Sequence, residues 1–223
     1  MRAWLEKILL WLVSLSIPFV LIVGVVRLLL TPAFVQFEYH LPHFPPDQYG
    51  FSAVERLAYA QLARRYLVTD AGLEVLGDLR FEDGSALFNA RELRHMEDVK
   101  EVIRGACIAG VVSASLLILG VVWAWATDQW GKLRMSIVRG GWLTVLLLGA
   151  TLFLAVVGFR ALFVVFHKIF FEGETWIFRY SDTLIRLFPM RFWRDAFLAF
   201  GVLTAGSGCL VALLFRERTS GSE

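Results

Sequence analysis

The chain has 223 residues, of which 57% are hydrophobic and only 19% are charged, a composition too apolar for an ordinary soluble domain of this size. The 22 lysines and arginines nearly balance the 20 aspartates and glutamates, and no concentrated basic stretch is present. We therefore expect no nucleic-acid partner. The composition indicates an integral membrane protein.

Four uninterrupted apolar stretches are each long enough to cross about 30 Å of hydrocarbon as a helix. They are Ile8 to Leu30, Val102 to Ala126, Val138 to Phe166 and Trp193 to Phe215. Charged residues in these stretches lie near the ends, from which long side chains can reach water. The sequence predicts an all-α membrane protein with four transmembrane helices and a small, mainly helical extracytoplasmic domain between the first two.

The orientation follows from the long segment after the first span. Residues 31–100 can be translocated largely regardless of their charge, whereas a short basic N-terminus usually stays in the cytoplasm. We therefore expect a multi-pass protein of the cytoplasmic membrane with both termini inside. The predicted layout is 1–30 for the N-terminus and first span, 31–100 for the extracytoplasmic domain, 101–126 for the second span, 127–137 for a cytoplasmic loop, 138–166 for the third span, 167–192 for an outer interfacial segment, and 193–223 for the fourth span and tail.

Capping signals mark the predicted elements of the extracytoplasmic domain. Ser52 and Glu55 fit a capping box that starts a helix. The stretch Asp78–Phe81 is short enough and apolar enough for a strand. Asn89 and Glu92 form a second capping box, and nothing after it forbids one continuous helix that runs into the second span.

The second outer segment, residues 167–192, is rich in aromatic side chains. Such a segment is too hydrophobic for a freely solvated loop, so we expect it to lie on the bilayer surface. Ser181, Asp182 and Thr183 offer N-caps for a short helix through Leu187, which Pro189 closes.

All four histidines fall on the outer side of this topology. His95 lies about 10 Å, or two helical turns, before the second span, and His167 lies at the outer end of the third. Because these spans run in opposite directions, the two imidazoles reach similar depth and could meet. An unperturbed pKa near 6.5 suits histidine to proton transfer. The alternatives are an exposed, salt-bridged helix start for His95 and an interfacial anchor for His167.

Charged residues near His95 could orient its ring. Glu92 at i−3, Asp98 at i+3 and Arg91 at i−4 share its helix face, and a carboxylate there could fix the imidazole tautomer. His40 and His43 have the spacing of metal ligands, but Pro42 and the lack of a nearby cysteine or carboxylate pair argue against a metal site. We expect neither a metal nor a cofactor.

Arginines near the outer ends of the spans allow two interpretations. Arg160 is seven residues before His167 and therefore lies on nearly the same helix face. A collar of such arginines could bind the carbonyl groups of a lipid substrate, or the side chains could merely reach toward headgroups. The residues concerned are Arg27, Arg104, Arg160 and Arg194.

Blocks spread over most of the chain resemble a known family. They are Phe88 to Lys100, with the pattern E-x-x-HM-x-DV, Phe166 to Phe171, Trp176 to Phe178 and Asp182 to Pro189. This sequence is similar to the four-span bacterial family that includes the lipoprotein intramolecular transacylase Lit.

The resemblance implies an acyltransferase without a cofactor. Such an enzyme moves the sn-2 acyl chain of a diacylglyceryl-modified N-terminal cysteine onto the α-amine of that cysteine, giving a lyso-form lipoprotein. The family's two histidines correspond to His95 and His167, and which of them is the base stays open. Supporting or substrate-binding candidates are Asp98, Glu92, Arg91, Arg160, Trp176 and Asp182. The expected partners are diacylglyceryl-modified lipoproteins and membrane lipid, with the protein itself a monomer.

Two other functions stay open at this point. One is a non-enzymatic membrane module that binds an envelope protein or a lipid. The other is a lipid acyl hydrolase, in which water takes the place of the amine.

Overall fold

The computed structural model describes residues 3–216 and contains, within that range, α-helices but no β-strand. The helices are α1 (Ala3–Leu29), α2 (Pro32–Tyr39), α3 (Ala53–Val68), α4 (Glu74–Gly77), α5 (Ala90–Thr127), α6 (Trp130–Phe170), α7 (Thr183–Leu187) and α8 (Met190–Leu214). The first two residues of the predicted cytoplasmic N-terminus and residues 217–223 of the predicted tail lie outside the described residues.

Four of these helices, α1, α5, α6 and α8, are long and apolar enough to cross a membrane. The predicted all-α fold with four membrane helices is thereby confirmed. Helices α5 and α6 have 38 and 41 residues, which is about twice the thickness of the hydrocarbon at 1.5 Å per residue. Both therefore continue well past the predicted spans.

The chain forms two compact units, one made of Met1–Val26, Ala106–Phe153 and Ala199–Glu223, the other of Arg27–Gly105 and Leu154–Leu198. In the first unit, glycines allow helices to approach closely, as is common between membrane helices. A Cβ atom at Gly141 would lie 2.6 Å from the carbonyl oxygen of Gly208. An alanine at position 141 would therefore force α6 and α8 apart.

The second unit holds a core contributed by its short helices, by the start of α5 and by the start of α8. Its buried apolar residues are Val35, Ala60, Ala63, Tyr66, Leu76, Leu87, Phe88, Met96, Leu184, Leu187 and Phe192. The capping box of Ser52 and Glu55 is present at the start of α3, as predicted. Helix α2 was not predicted, although Thr31 caps it and Pro32 occupies its first turn.

The helix that carries His95 begins as predicted. The side chain of Asn89 accepts a hydrogen bond from the Glu92 amide (3.1 Å), and the Glu92 carboxylate accepts one from the Asn89 amide (2.8 Å). From there α5 is continuous to Thr127. The predicted strand at Asp78–Phe81 is wrong, because only an isolated bridge between Arg80 and Ala86 forms there.

Helix α6 is interrupted at Gly158, whose φ of −150° and ψ of 52° are not helical. The helix then runs to Phe170 and so includes His167, which the sequence had placed just beyond the third span. Residues 171–182 have no regular structure, and α7 and Pro189 follow as predicted.

Candidate active site

The two histidines of the second unit lie side by side. His95 is in the second turn of α5 and His167 in the last turn of α6. Their ring centroids are 6.0 Å apart with 24° between the ring planes. Each residue is only 8% exposed. The two imidazoles are therefore neighbours, as the predicted topology allows. Their separation would let both rings contact the same small reacting group.

Hydrogen bonding distinguishes the two rings. Nδ1 of His167 is 2.8 Å from the carbonyl oxygen of Phe163, one turn earlier in α6. A carbonyl oxygen can only accept, so Nδ1 of His167 carries the proton and, in the neutral ring, Nε2 keeps a free lone pair. Nδ1 of His95 is buried and has no hydrogen-bond partner among the described residues.

Aromatic rings surround the pair. Phe171 packs against both imidazoles, with centroid distances of 4.9 Å to His95 and 5.4 Å to His167. Phe178 lies 5.3 Å from His95, and Trp176 lies 5.0 Å from His167. The indole Nε1 of Trp176 is a second buried nitrogen without a partner in residues 3–216. Both nitrogens therefore have hydrogen-bonding capacity that the described side chains and backbone do not use.

The expectation that a carboxylate fixes the ring of His95 is not met by Asp98. Its carboxylate instead accepts a hydrogen bond from the Thr175 hydroxyl (3.2 Å). No hydrogen bond joins Asp98 to His95 in the described chain. The i+3 spacing places Asp98 and His95 on one face of α5. The carboxylate of Asp98 nevertheless bonds to Thr175 and not to the imidazole.

Glu92 does not orient His95 either. It is 1% exposed, and besides the Asn89 amide it accepts a hydrogen bond from the backbone amide of Leu184 (2.6 Å). Leu184 is in the first turn of α7, where amide groups have no partner within the helix. Glu92 thus caps two helices, its own and α7. Asp182, one of the three predicted candidates, is the N-cap residue of α7, but its side chain makes no cap hydrogen bond.

Arg91 and Asp182 form an ion pair (3.1 Å) between α5 and the segment before α7. Asp182 also accepts hydrogen bonds from the Asn89 side chain (3.3 Å) and the Arg179 amide (2.8 Å). The two candidates therefore hold the second outer segment against α5 and do not touch the imidazoles.

Other candidates lie outside the histidine pair. Arg160 is exposed on α6, about two helical turns before His167. Nδ1 of His40 is 2.7 Å from the Gln36 carbonyl. Among residues 3–216 no group of three or more His, Cys, Asp or Glu side chains could hold a metal ion.

The structure adds a buried carboxyl group that the sequence did not reveal. Glu38 in α2 is 2% exposed. Burial raises its pKa to about 7, with a further increase from Asp195 and an opposing effect of Arg191. Only the tertiary packing of α2 buries this residue, so no local pattern could have identified it.

Four membrane-length helices and a buried pair of histidines among aromatic rings define an integral membrane protein with a candidate acid–base site. The family model of the lipoprotein intramolecular transacylase Lit matches residues 11–193. The chain is 32% identical over 185 residues to an uncharacterized protein of Aquifex aeolicus (strain VF5), covering 83% of this chain and 82% of that protein.

Solved structures show the same fold. The structure of the membrane integral lipoprotein intramolecular transacylase Lit from Bacillus cereus superposes with a TM-score of 0.67 at 18% identity, over 96% of each chain. A variant of that protein with a single histidine substitution gives a TM-score of 0.65 at 16% identity, over 96% of this chain and 94% of that one.

The chain belongs to the lipoprotein intramolecular transacylase family and is an acyltransferase of the membrane. Family membership weighs against the non-enzymatic membrane module that the sequence left open.

Proposed function

We propose that this protein transfers the sn-2 acyl chain of a diacylglyceryl-modified N-terminal cysteine to the α-amine of the same residue. The observation that carries the proposal is the stack of His95 and His167, 6.0 Å apart in an aromatic enclosure. Ester and amine belong to one molecule, so positioning them supplies much of the rate. The product is an N-acyl lyso-form lipoprotein.

His167 is the general base in this proposal. Its Nδ1 donates to the Phe163 carbonyl, and that bond orients the ring and leaves Nε2 as the acceptor. A free α-amine has a pKa of about 7.7 to 8.0, so near pH 7 most of it must lose a proton before it attacks. That proton is lost to solvent, and Nε2 of His167 takes a second proton from the nitrogen as the neutral amine attacks the ester carbonyl.

His95 and Trp176 stabilise the tetrahedral intermediate. Nδ1 of His95 and Nε1 of Trp176 are buried nitrogens that have no hydrogen-bond partner in the part of the chain that the structure describes. Both can donate to an oxyanion that develops beside His167, and donors of this kind are usually the largest single contribution to acyl transfer. An indole nitrogen only donates hydrogen bonds. Trp176 can therefore stabilise the oxyanion but cannot act as an acid or a base.

The step balances without a co-reactant. A bond forms between the amine nitrogen and the ester carbonyl carbon, and the bond from that carbon to the sn-2 glycerol oxygen breaks. The proton that His167 takes from the amine passes to the departing glycerol oxygen. No electron is gained or lost, and no water enters.

Substitution of each histidine tests the proposal. His95→Ala and His167→Ala are expressed with a lipoprotein substrate, and mass spectrometry locates the acyl chain on its N-terminus. We expect the N-acylated lyso-form from the unaltered protein and from His40→Ala, an exposed histidine that serves as the matched control. If both site variants still give the lyso-form, the proposed roles are wrong. Free fatty acid without N-acylated product would indicate a lipid acyl hydrolase.

The location of the site is part of the proposal. Residues 31–100 and 167–192 lie outside the cytoplasmic membrane, both termini lie inside, and the histidines face the outer leaflet. The four apolar helices support the location in a membrane. The length of the first outer segment supports the orientation, because a long segment is translocated largely regardless of its charge. Reporter fusions after Lys132 and within residues 31–100 test it, and an external signal at Lys132 would overturn it.

Arg160 is proposed to bind the substrate carbonyl groups, since it is exposed on the helix that carries His167. Arg160→Ala then raises KM for the lipoprotein and leaves kcat nearly unchanged. An unchanged KM would leave Arg160 with a purely interfacial role.

A further inference from the structure

A groove of about 440 Å³ opens in the second unit, away from the histidine rings, and its volume is within the range of ligand pockets. It lies between the turn at residues 45–49 and the segment around α7. The lining residues that matter are Pro45, Asp47, Tyr49, Arg56, Tyr180 and Arg186.

The wall of the groove carries an unbalanced positive charge. The side chain of Arg186 pairs with Asp47 through two hydrogen bonds of 3.0 and 2.9 Å. Arg56 is 5% exposed and has no carboxylate partner among the described residues. The wall therefore holds two guanidinium groups but only one carboxylate, which pairs with Arg186. Burying the charge of Arg56 without a partner is costly.

Arg56 has donors to spare. Its Nε donates to the carbonyl of Arg186 (2.5 Å) and its Nη1 to the carbonyl of Pro45 (2.6 Å). A guanidinium has five N–H donors, and because the Tyr39 hydroxyl also interacts with this side chain, about two are left for another acceptor. A carboxylate in the groove would satisfy them and balance the second arginine.

We propose that this groove binds the polypeptide part of the substrate just after its lipidated cysteine, through an acidic side chain. The proposal rests on the proposed function. Tyr180 at the edge of the groove is two residues from Phe178, whose ring contacts His95, and two residues span at most about 7 Å. A peptide that leaves the histidine pair reaches the groove within a few residues.

The exposed rings at the rim favour a peptide. Tyr49 is 51% exposed and Tyr180 is 77% exposed. Aromatic residues and arginine are enriched where proteins contact other polypeptides, and aromatic-lined grooves are one of the recurring ways of holding an extended peptide.

Binding can be measured without turnover by using a lipopeptide whose sn-2 chain is ether-linked and so cannot be transferred. Fluorescent ether lipopeptides with glutamate, glutamine or lysine at the positions after cysteine are titrated against the full-length protein in nanodiscs. We expect the glutamate peptide to bind about tenfold more tightly than the lysine peptide, with the difference shrinking as salt is added. Equal affinities overturn the proposal.

Two variants locate the effect. Arg56→Gln is expected to remove most of the charge preference, and a thermal melt checks that the variant is folded. Because Tyr180 is exposed, Tyr180→Ala leaves the fold intact and weakens all three peptides about threefold. The control is Phe37→Ala, an exposed aromatic residue (61%) outside the groove. Unchanged affinity in both groove variants overturns the proposal.

Three further outcomes separate it from its alternatives. If Arg56→Gln instead weakens binding only to phosphatidylglycerol nanodiscs, the groove takes a lipid headgroup and the peptide proposal fails. If the ester-linked substrates are converted normally while the ether peptides show no charge preference, only the groove assignment fails. If no lipopeptide binds or reacts, the proposed function fails together with it.

Discussion

Replacing Glu92 tests whether this carboxylate serves the fold or the chemistry. Its two oxygens accept backbone hydrogen bonds of 2.8 Å from Asn89 and 2.6 Å from Leu184. Hydrogen bonds to a charged acceptor contribute about 1.5 to 3 kcal/mol each. Glu92→Ala loses both and leaves the Leu184 amide buried without a partner, while the cost of burying a charge disappears. The free energy of unfolding should fall by about 3 to 4 kcal/mol.

Glu92→Gln should cost about half as much, because one amide oxygen can still accept while the new NH₂ group faces an N–H donor. For a chain of this length 1 kcal/mol corresponds to about 2 to 4 °C in Tm, so Glu92→Ala lowers Tm by about 10 °C and Glu92→Gln by about 5 °C. Thermal melts of the purified protein measure both. Glu97→Ala, an exposed position in the same helix, should leave Tm within 1 °C.

Transfer assays on the same variants separate the two roles. At a temperature where Glu92→Gln is folded, its rate should stay within about tenfold of the unaltered protein, since the carboxylate only holds α7 in place. A variant with unchanged Tm and a rate at least about 100-fold lower would refute this reasoning. Glu92 would then act on His95 directly, as the i−3 spacing first suggested.

The remaining predictions concern other groups. Trp176→Phe keeps a ring beside His167 but removes its N–H, so kcat should fall about 100-fold, and an unchanged kcat in steady-state assays would remove Trp176 from the oxyanion site. Glu38 has a pKa of about 7 in the folded protein, against an ordinary value of 4.5. Between these pH values the folded protein keeps the proton on Glu38 while the unfolded chain releases it. The free energy of unfolding should therefore decline by about 3 kcal/mol as pH rises from about 4.5 to 7. Glu38→Gln should flatten that dependence in melts between pH 5 and 8, and an unaltered slope would contradict the assignment. Asp47→Ala should destabilise the protein by about 3 to 5 kcal/mol because it leaves Arg186 buried and unpaired, and a melt within 2 °C of the unaltered protein would show that the pair contributes little.

Local patterns predict much of this fold because they depend on neighbours in sequence. The four long helices follow from hydropathy, and the capping box of Asn89 and Glu92 follows from spacing alone. The meeting of His95 and His167 needs only the topology. Even the bond from His167 to Phe163 follows the i−4 spacing of a helix, although the residues themselves do not say which ring nitrogen would be free.

The partners of side chains across the chain could not be predicted in the same way. Asp98 has His95 on its own helix face, yet it binds Thr175, which lies 77 residues further along the chain. Glu92 likewise finds the Leu184 amide, 92 residues away. Which donor a carboxylate binds depends on the position of an irregular segment far away in sequence, and no local periodicity records that position. Helix α2 is different, since Thr31 and Pro32 are local signals of its start.

The irregular segment explains why the charges around His95 are turned away from it. Residues 171–182 supply Phe171, Trp176 and Phe178 to the histidine pair, but beyond the bond from the Phe171 amide to the His167 carbonyl the segment has no regular helical structure. The α5 helix holds the segment and the start of α7 with Arg91, Glu92 and Asp98. These three side chains flank His95 in sequence, so one stretch of helix both presents the imidazole and fixes its aromatic wall. Because they are occupied in this way, none of them bonds to Nδ1 of His95, which has no hydrogen-bond partner within residues 3–216 and is therefore available as the donor we propose. A rigid wall suits an intramolecular transfer, whose rate depends on holding amine and ester together and on keeping water from competing for the ester.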